Sequence, residues 1–167
     1  RQVIDRVREV NPGVIIEVLV PDFQDDDKAI EAVLSARPEI FNHNLETVRR
    51  LTPSVRSVAT YERSLSVLHK VKDRAPELHT KSGLMLGLGE TEKELHAAMS
   101  DLRDVSCDIL TLGQYLQPTR KHLTVVEFIH PEKFAKHQQT AEAMGFIHVA
   151  SGPLVRSSYH ADEFEVK

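Results

Sequence analysis

The sequence predicts an α/β fold whose strands run parallel. Short β-branched apolar runs alternate with helical stretches, at a spacing that fits strand–crossover–strand units of right-handed sense. Several strand ends are followed by a polar or glycine-bearing segment. Five such strands make either an open doubly wound sheet or an arc of a barrel, and the pattern does not choose between them. In both, ligands gather at the C-terminal ends of the strands, so the segments just after each strand carry most of the functional information.

The elements follow in order. Arg1-Gln2-Val3-Ile4-Asp5 reads as the middle of a helix, with Val3, Ile4, Val7 and Val10 on one face, as expected of a fragment of a longer chain. Asn11-Pro12-Gly13 is a turn signal, and the β-branched run 14–20 after it is a strand. Pro21-Asp22-Phe23 ends that strand, and Asp25, Asp26 and Asp27 offer capping carboxylates for a helix over 28–36. A short strand over 39–42 precedes a short helix over 45–51, with Asn44 as its N-cap, and then a longer helix over 62–74. In the longer one Leu65, Leu68 and Val71 recur at helical spacing. The next strand spans 81–86. Thr91 and Glu94 form a capping box that opens a helix through Arg103. A strand over 108–112, a helix from Pro131 to Ala143 or Met144 stopped by Gly145, and a strand over 146–150 complete the pattern.

Composition narrows the function classes. With 167 residues, 41% of them hydrophobic, the chain can bury one core of ordinary size, so one domain over 1–167 is expected. A formal net charge of -4 argues against a broad nucleic-acid or anionic-membrane footprint. No apolar run approaches the roughly 20 residues of a membrane span, and the N-terminus has neither signal nor transit character. The single cysteine, Cys107, permits no intrachain disulfide, which fits a reducing compartment, and it reads as an inert structural thiol on a helix-to-strand turn. None of the nine histidines has metal-site spacing, so they read as scattered surface and core residues.

Each polar strand end admits a bland and a functional reading. Asn42-His43-Asn44-Leu45-Glu46 is either a helix cap or a set of amides, imidazole and carboxylate that grips a ribose or an amino group. Gly87-Leu88-Gly89-Glu90 is either a plain strand-to-helix turn or a place where backbone approaches a ligand; Glu92 stands where a dinucleotide fingerprint needs its third glycine. Lys81 is either a strand-start charge or a group pointing into a barrel mouth. Gln114-Tyr115-Leu116-Gln117 is either a loop held by Pro118 or an amide-and-apolar edge for a flat base. The segment 152–162, with Arg156-Ser157-Ser158-Tyr159-His160-Ala161-Asp162, lacks the G-x-S-x-G of a serine nucleophile. An anion or metal contact suits it better, with Arg156 lowering the cost of an alkoxide-like serine oxygen.

Taken together, five segments resemble the motifs of the lipoyl synthase family in order and spacing. They are Phe41-Asn42-His43-Asn44-Leu45-Glu46-Thr47, Thr80-Lys81-Ser82-Gly83-Leu84-Met85, Gly87-Leu88-Gly89-Glu90-Thr91, Leu112-Gly113-Gln114-Tyr115-Leu116-Gln117-Pro118 and Arg156-Ser157-Ser158-Tyr159-His160-Ala161-Asp162. The resemblance covers essentially the whole chain. It implies a radical S-adenosylmethionine enzyme, and for residues 1–167 the C-terminal part of a partial (β/α) TIM-like barrel. The stretch 83–90 resembles the superfamily's G-x-I-x-G-x-x-E strand near the adenine. By the same resemblance Asn44 and Glu46 contact the ribose or methionine part of S-adenosylmethionine. Lys81, Ser82, Gly83 and Glu90 help hold it, Gln114, Leu116 and Gln117 lie along the adenine edge, and Arg63 stands near the site.

The activity implied is insertion of two sulfur atoms at carbons six and eight of an octanoyl chain held on a lipoyl carrier protein or domain. One 4Fe-4S cluster reduces S-adenosylmethionine to give a hydrogen-abstracting deoxyadenosyl radical. A second, auxiliary cluster is the sulfur source, with an electron donor such as ferredoxin or flavodoxin. A serine of the R-S-S-Y motif ligates the auxiliary cluster, here Ser157 with Ser158 second, and Arg156 stabilises the anion. Thiolates usually hold such iron, and the family's C-x-x-x-C-x-x-C and second cysteine motif are expected upstream of this chain. Alone, the chain is therefore expected to be inactive, and to self-associate through the strand edge of 14–20. The alternative reading is a non-catalytic half-barrel binding or interaction module. The compartment expected is the cytoplasm in a bacterium, or a mitochondrion or plastid in a eukaryote.

Overall fold

A computed structural model shows how the strands are arranged, and it describes residues 1–158. The strands are β1 (Glu17–Leu19), β2 (Ile40–Asn42), β3 (His79–Leu86), β4 (Ile109–Gln114) and β5 (His148–Gly152). All neighbours pair in parallel, in the order β1-β2-β3-β4-β5. A doubly wound sheet reverses its order at a switch point. Here every crossover steps the same way, so right-handed connections put the helices on one face and leave the other to form the inside of a barrel arc.

The helices are α1 (Gln2–Val10), α2 (Asp27–Leu34), α3 (Thr52–Val55), α4 (Tyr61–Arg74), α5 (Glu92–Asp104) and α6 (Pro131–Ala143). Their starts follow the expected chemistry. Asp26 caps α2, Thr60 caps α4, Thr91 and Glu94 form the capping box of α5, and Gly145 leaves α6 at φ +91°. The core lies between helices and sheet. Phe41, Leu84, Leu86, Leu110 and Leu112 project from the strands onto Val67, Leu68, Val71, Leu95, Met99, Leu102 and Phe134 of the helices. Ile4 of α1 closes a smaller cluster with Ile16 and Ala36.

Because side chains alternate along a strand, the residues between these core positions face the inside of the arc. Deep on that side the Lys81 ammonium, fully buried, donates to Glu17 Oε2 at 2.8 Å, and Asn42 Nδ2 donates to Glu17 Oε1 at 2.7 Å. Cys107 lies on the helix side instead. Burial and the neighbouring Asp108 push its thiol up to about 12, which disfavours the reactive thiolate.

One expected element is corrected. Residues 45–51 form no helix, and Asn44 caps none; only the four residues of α3 are helical, further on. The reason is tertiary. Glu46 N donates to Gly83 O at 2.9 Å and Met85 N donates to Glu46 O at 2.8 Å, so the chain after β2 stays bridged to β3, with Glu46 at φ +71°. Strand β1 is an edge, with Leu19 exposed. Among the described residues no helix is long and apolar enough to cross a membrane.

Candidate functional site

Above the buried ion pair, the C-terminal ends of the strands enclose a hollow of about 230 Å³. Its wall from β2 is Asn44 and Glu46; its floor is Gly83 and Met85 of β3; Thr111 and Gly113 come from β4, and Gln114 and Leu116 from the tip beyond. Val155, Arg156 and Ser157 close it from the C-terminal side.

The bridge from Glu46 to β3 aims this wall. It holds the Glu46 backbone beside Gly83 and Met85, which puts the carboxylate over the strand tips. Burial pushes that carboxyl above its usual range, while the Asn44 amide and the Arg56 guanidinium pull it back in part. Asn44 Oδ1 is buried and has no hydrogen-bond partner among the described residues. An acceptor so placed costs free energy until a donor meets it. A larger residue at Gly83 would force the wall to shift, since a Cβ there would lie 2.7 Å from Thr111 Oγ1 and 3.0 Å from Asn44 Oδ1. Gly113 plays the same part for the far wall. A Cβ there would meet Val155 O at 2.4 Å, so the absent side chain is what lets 155–157 lie across the tip of β4.

The other residues singled out from the sequence have separate places. Ser82 faces the helices, is fully buried, and its Oγ accepts from Leu45 N at 3.0 Å, fastening the 43–46 segment from behind. Lys81 faces the arc but lies beneath the hollow, on Glu17. The Glu90 carboxylate accepts from Gly87 N at 2.6 Å and Leu88 N at 2.9 Å, closing its own turn. At Gly87, φ +97°, a Cβ would strike Glu127 O at 2.3 Å, so that glycine admits the chain's own backbone. Gln114 contributes to the hollow's lining, yet its amide donates to Leu86 O, Tyr115 O and Glu127 O and accepts from Ile129 N. Gln117 is exposed, outside the lining, and donates to His122 O at 2.8 Å. Arg63 pairs with Asp22 at 2.5 Å and donates to Val58 O, away from the hollow. Ser158 is exposed and outside the lining. The end of the expected segment, 159–162, lies outside the described residues.

Met85, Thr111, Gly113 and Val155 were not singled out. A signal existed for three of them. Met85 has the parity of Gly83 on β3, and Thr111 and Gly113 are the register partners of Gly83 and Met85 on β4.

Chemically, one side of the hollow offers acceptors (Asn44 Oδ1, Glu46) and the other a cation and a hydroxyl (Arg156, Ser157), over a glycine floor with apolar Met85 and Leu116. Such a set suits an elongated ligand with hydroxyl or ammonium donors at one end and a thin or flat body. Iron fits poorly. Among the described residues no group of three His, Cys, Asp or Glu can hold a metal ion, and the sole thiol is sealed on the helix side.

Comparison with known proteins agrees with the parallel α/β fold. A family model described as the radical SAM superfamily matches residues 2–102. The chain is 53% identical over 161 residues to a lipoyl synthase of Caldicellulosiruptor saccharolyticus, covering 96% of this chain and 56% of that protein. It is 54% identical over 164 residues to a lipoyl synthase of Chlorobaculum parvum, covering 98% and 56%. The chain thus spans about half the length of the relatives it matches. In fold it is similar to the radical S-adenosylmethionine methyltransferase TsrM of Kitasatospora setae, solved with cobalamin and a 4Fe-4S cluster. The TM-score is 0.50 at 15% identity, over 66% of this chain and 23% of that one.

Proposed function

The chain belongs to the radical S-adenosylmethionine superfamily as a homologue of the lipoyl synthases, and from that premise we propose that the complete protein is itself a lipoyl synthase. It inserts sulfur at carbons six and eight of an octanoyl chain on a lipoyl carrier protein or domain, with ferredoxin or flavodoxin as electron donor. This chain contributes the S-adenosylmethionine hollow and the Arg156-Ser157 segment.

The observation that carries the reading is the bare Asn44 Oδ1 beside Glu46 over a glycine floor. Ribose hydroxyls and an ammonium group are donors, which supports pairing them with these acceptors. Gly83 lets the ligand body lie close to β3. Leu116 and Met85 exclude water from one side of it. When bound, S-adenosylmethionine supplies the hydrogen-abstracting chemistry. The residues of this chain do not fit the clusters' cysteine requirement, so no step through a cluster is assigned to them. Ser157, at the hollow's rim beside Arg156, is the first candidate donor to the auxiliary cluster, with Ser158 second.

The test is anaerobic reconstitution of the complete protein with iron and sulfide, followed by S-adenosylmethionine, a reductant and an octanoyl-lysine peptide. The reading expects a product that has gained two sulfur atoms. Cofactor cleavage with no sulfur in the peptide would contradict it. Replacing Ser157 with Ala is expected to abolish sulfur transfer and leave cofactor cleavage in place.

A further inference from the structure

His43 stands next to Asn44 in the chain, yet its buried imidazole turns away from the hollow and is held at both nitrogens. Nδ1 lies 2.9 Å from the carbonyl oxygen of Val20, and Nε2 lies 3.0 Å from Ser64 Oγ. A carbonyl can only accept, so Nδ1 carries the proton and donates. Nε2 is then an acceptor, and the Ser64 hydroxyl donates to it. Ser64 Oγ in turn accepts from Arg56 Nη1 at 2.8 Å, and the same Nη1 donates to the Asn44 carbonyl at 3.2 Å. Every hydrogen in this series has one direction. Ser64 is fully buried, so a broken link leaves a polar group without a partner where water cannot supply one.

We propose that the series Arg56–Ser64–His43–Val20 is a positioning relay. It fixes the tip of β2 so that Asn44 and Glu46 face the adenosyl ligand, and it requires His43 to be neutral with its proton on Nδ1. The proposal deepens the S-adenosylmethionine reading of the hollow and rests on it. The charged groups facing His43 are Arg56 from the segment after α3, Arg63 from α4, and Asp22 from the segment after β1. Asp22, itself paired with Arg63 at 2.5 Å, favours the protonated ring, but burial outweighs it. A proton on His43 would set a second cation beside Arg56 and remove the acceptor that Ser64 needs. Burial and Arg56 accordingly hold the imidazole's pKa below its usual value. The folded pKa is depressed, so the neutral relay is intact at neutral pH and is lost as the solution becomes acid through that lowered value.

The test uses the complete protein and S-adenosylhomocysteine as probe, with affinity measured calorimetrically at neutral and mildly acid pH. Ser64→Ala is expected to weaken binding about tenfold at neutral pH, the scale of one buried hydrogen bond lost. Wild-type affinity is expected to fall in acid. Because the buried Glu46 carboxyl also takes up a proton in acid, the pH dependence is read in the Glu46→Gln background; there His43→Gln, whose amide can donate to Val20 and accept from Ser64 without titrating, is expected to keep most of the neutral affinity and to remove the remaining acid loss. Ring-nitrogen NMR should show a protonated Nδ1 and a bare Nε2 on His43. Unchanged affinity in Ser64→Ala, an acid loss that persists when His43→Gln is added to Glu46→Gln, or a protonated Nε2 at neutral pH would each overturn the relay. If the wild type binds no probe at any pH, the reading of the hollow fails, and the ring-nitrogen spectrum and the folding stability of Ser64→Ala decide whether the relay exists.

Discussion

Two neighbouring strand ends look alike in sequence and differ in the structure. After β2 come Asn44 and Glu46; after β3 come Gly87, Gly89 and Glu90. Both segments are polar and both follow a strand. At the second, every group flagged is satisfied from within: Glu90 accepts from two amides of its own turn, and Gly87 makes room for the carbonyl of Glu127. At the first, Glu46 sits in left-handed backbone geometry, its carboxyl is raised by burial, and Asn44 Oδ1 has no partner among the described residues. The lesson is that polarity at a strand tip does not distinguish a binding group from a structural one. Unmet hydrogen-bonding capacity in the lining of a hollow separates the two ends here.

Substitutions can break or sharpen that contrast. The largest effect is expected from Gly83→Ala, which drives a methyl group against Thr111 and Asn44 at the floor of the hollow. S-adenosylhomocysteine affinity should fall by about a hundredfold or more, since overpacking of this kind costs 1–3 kcal/mol and also displaces the wall. Glu46→Gln comes next, with a loss of about tenfold in the same titration, the scale of a charge-assisted hydrogen bond. Its stability should move the other way. Burial raises the folded pKa of Glu46, so this residue's contribution is fully present below the unfolded value and is withdrawn as pH rises through the folded one. The variant should therefore be relatively more stable than wild type at neutral pH and lose that advantage in acid, as thermal melts across pH would show. The smallest effect on binding is expected from Glu90→Ala. It removes two hydrogen bonds from a turn and should cost about 1–3 kcal/mol in a denaturant titration, with affinity changed by about twofold or less. A large affinity loss in Glu90→Ala with little loss of stability would erase the contrast.

The sequence made the alternation of strands and helices legible because periodicity and capping chemistry are local: Thr91 with Glu94, Asp26 before α2, and Gly145 all act where their spacing says. The helix over 45–51 failed because its competitor was β3, nearly 40 residues away, and that contact is what delivers Glu46 to the hollow. Barrel arc over doubly wound sheet was likewise a matter of strand order, which no local pattern encodes.

For the candidate site, the five motifs led to strand ends that the structure brings together, and Asn44, Glu46, Gly83, Gln114, Leu116, Arg156 and Ser157 line one hollow. What the motifs blurred was parity. Lys81, Ser82 and Gly83 are adjacent, and consecutive strand residues face opposite sides. Ser82 therefore had to fasten Leu45 from the helix side when Gly83 formed the floor. Lys81 shares the parity of Gly83 but sits one step deeper, on Glu17, a partner 64 residues away that spacing could not reveal. His43 shows the same limit from another direction: it lies inside the most telling motif, and only its two ring contacts separate it from the hollow that Asn44 lines.

The most direct measurement is a crystal structure of the complete protein with S-adenosylhomocysteine bound. The account predicts the ligand between the tips of β2, β3 and β4, its body over Gly83, with a ligand hydroxyl or ammonium donating to Asn44 Oδ1 and Glu46 alongside. A ligand seated elsewhere, or one that occupies the hollow and leaves Asn44 Oδ1 bare, would contradict it.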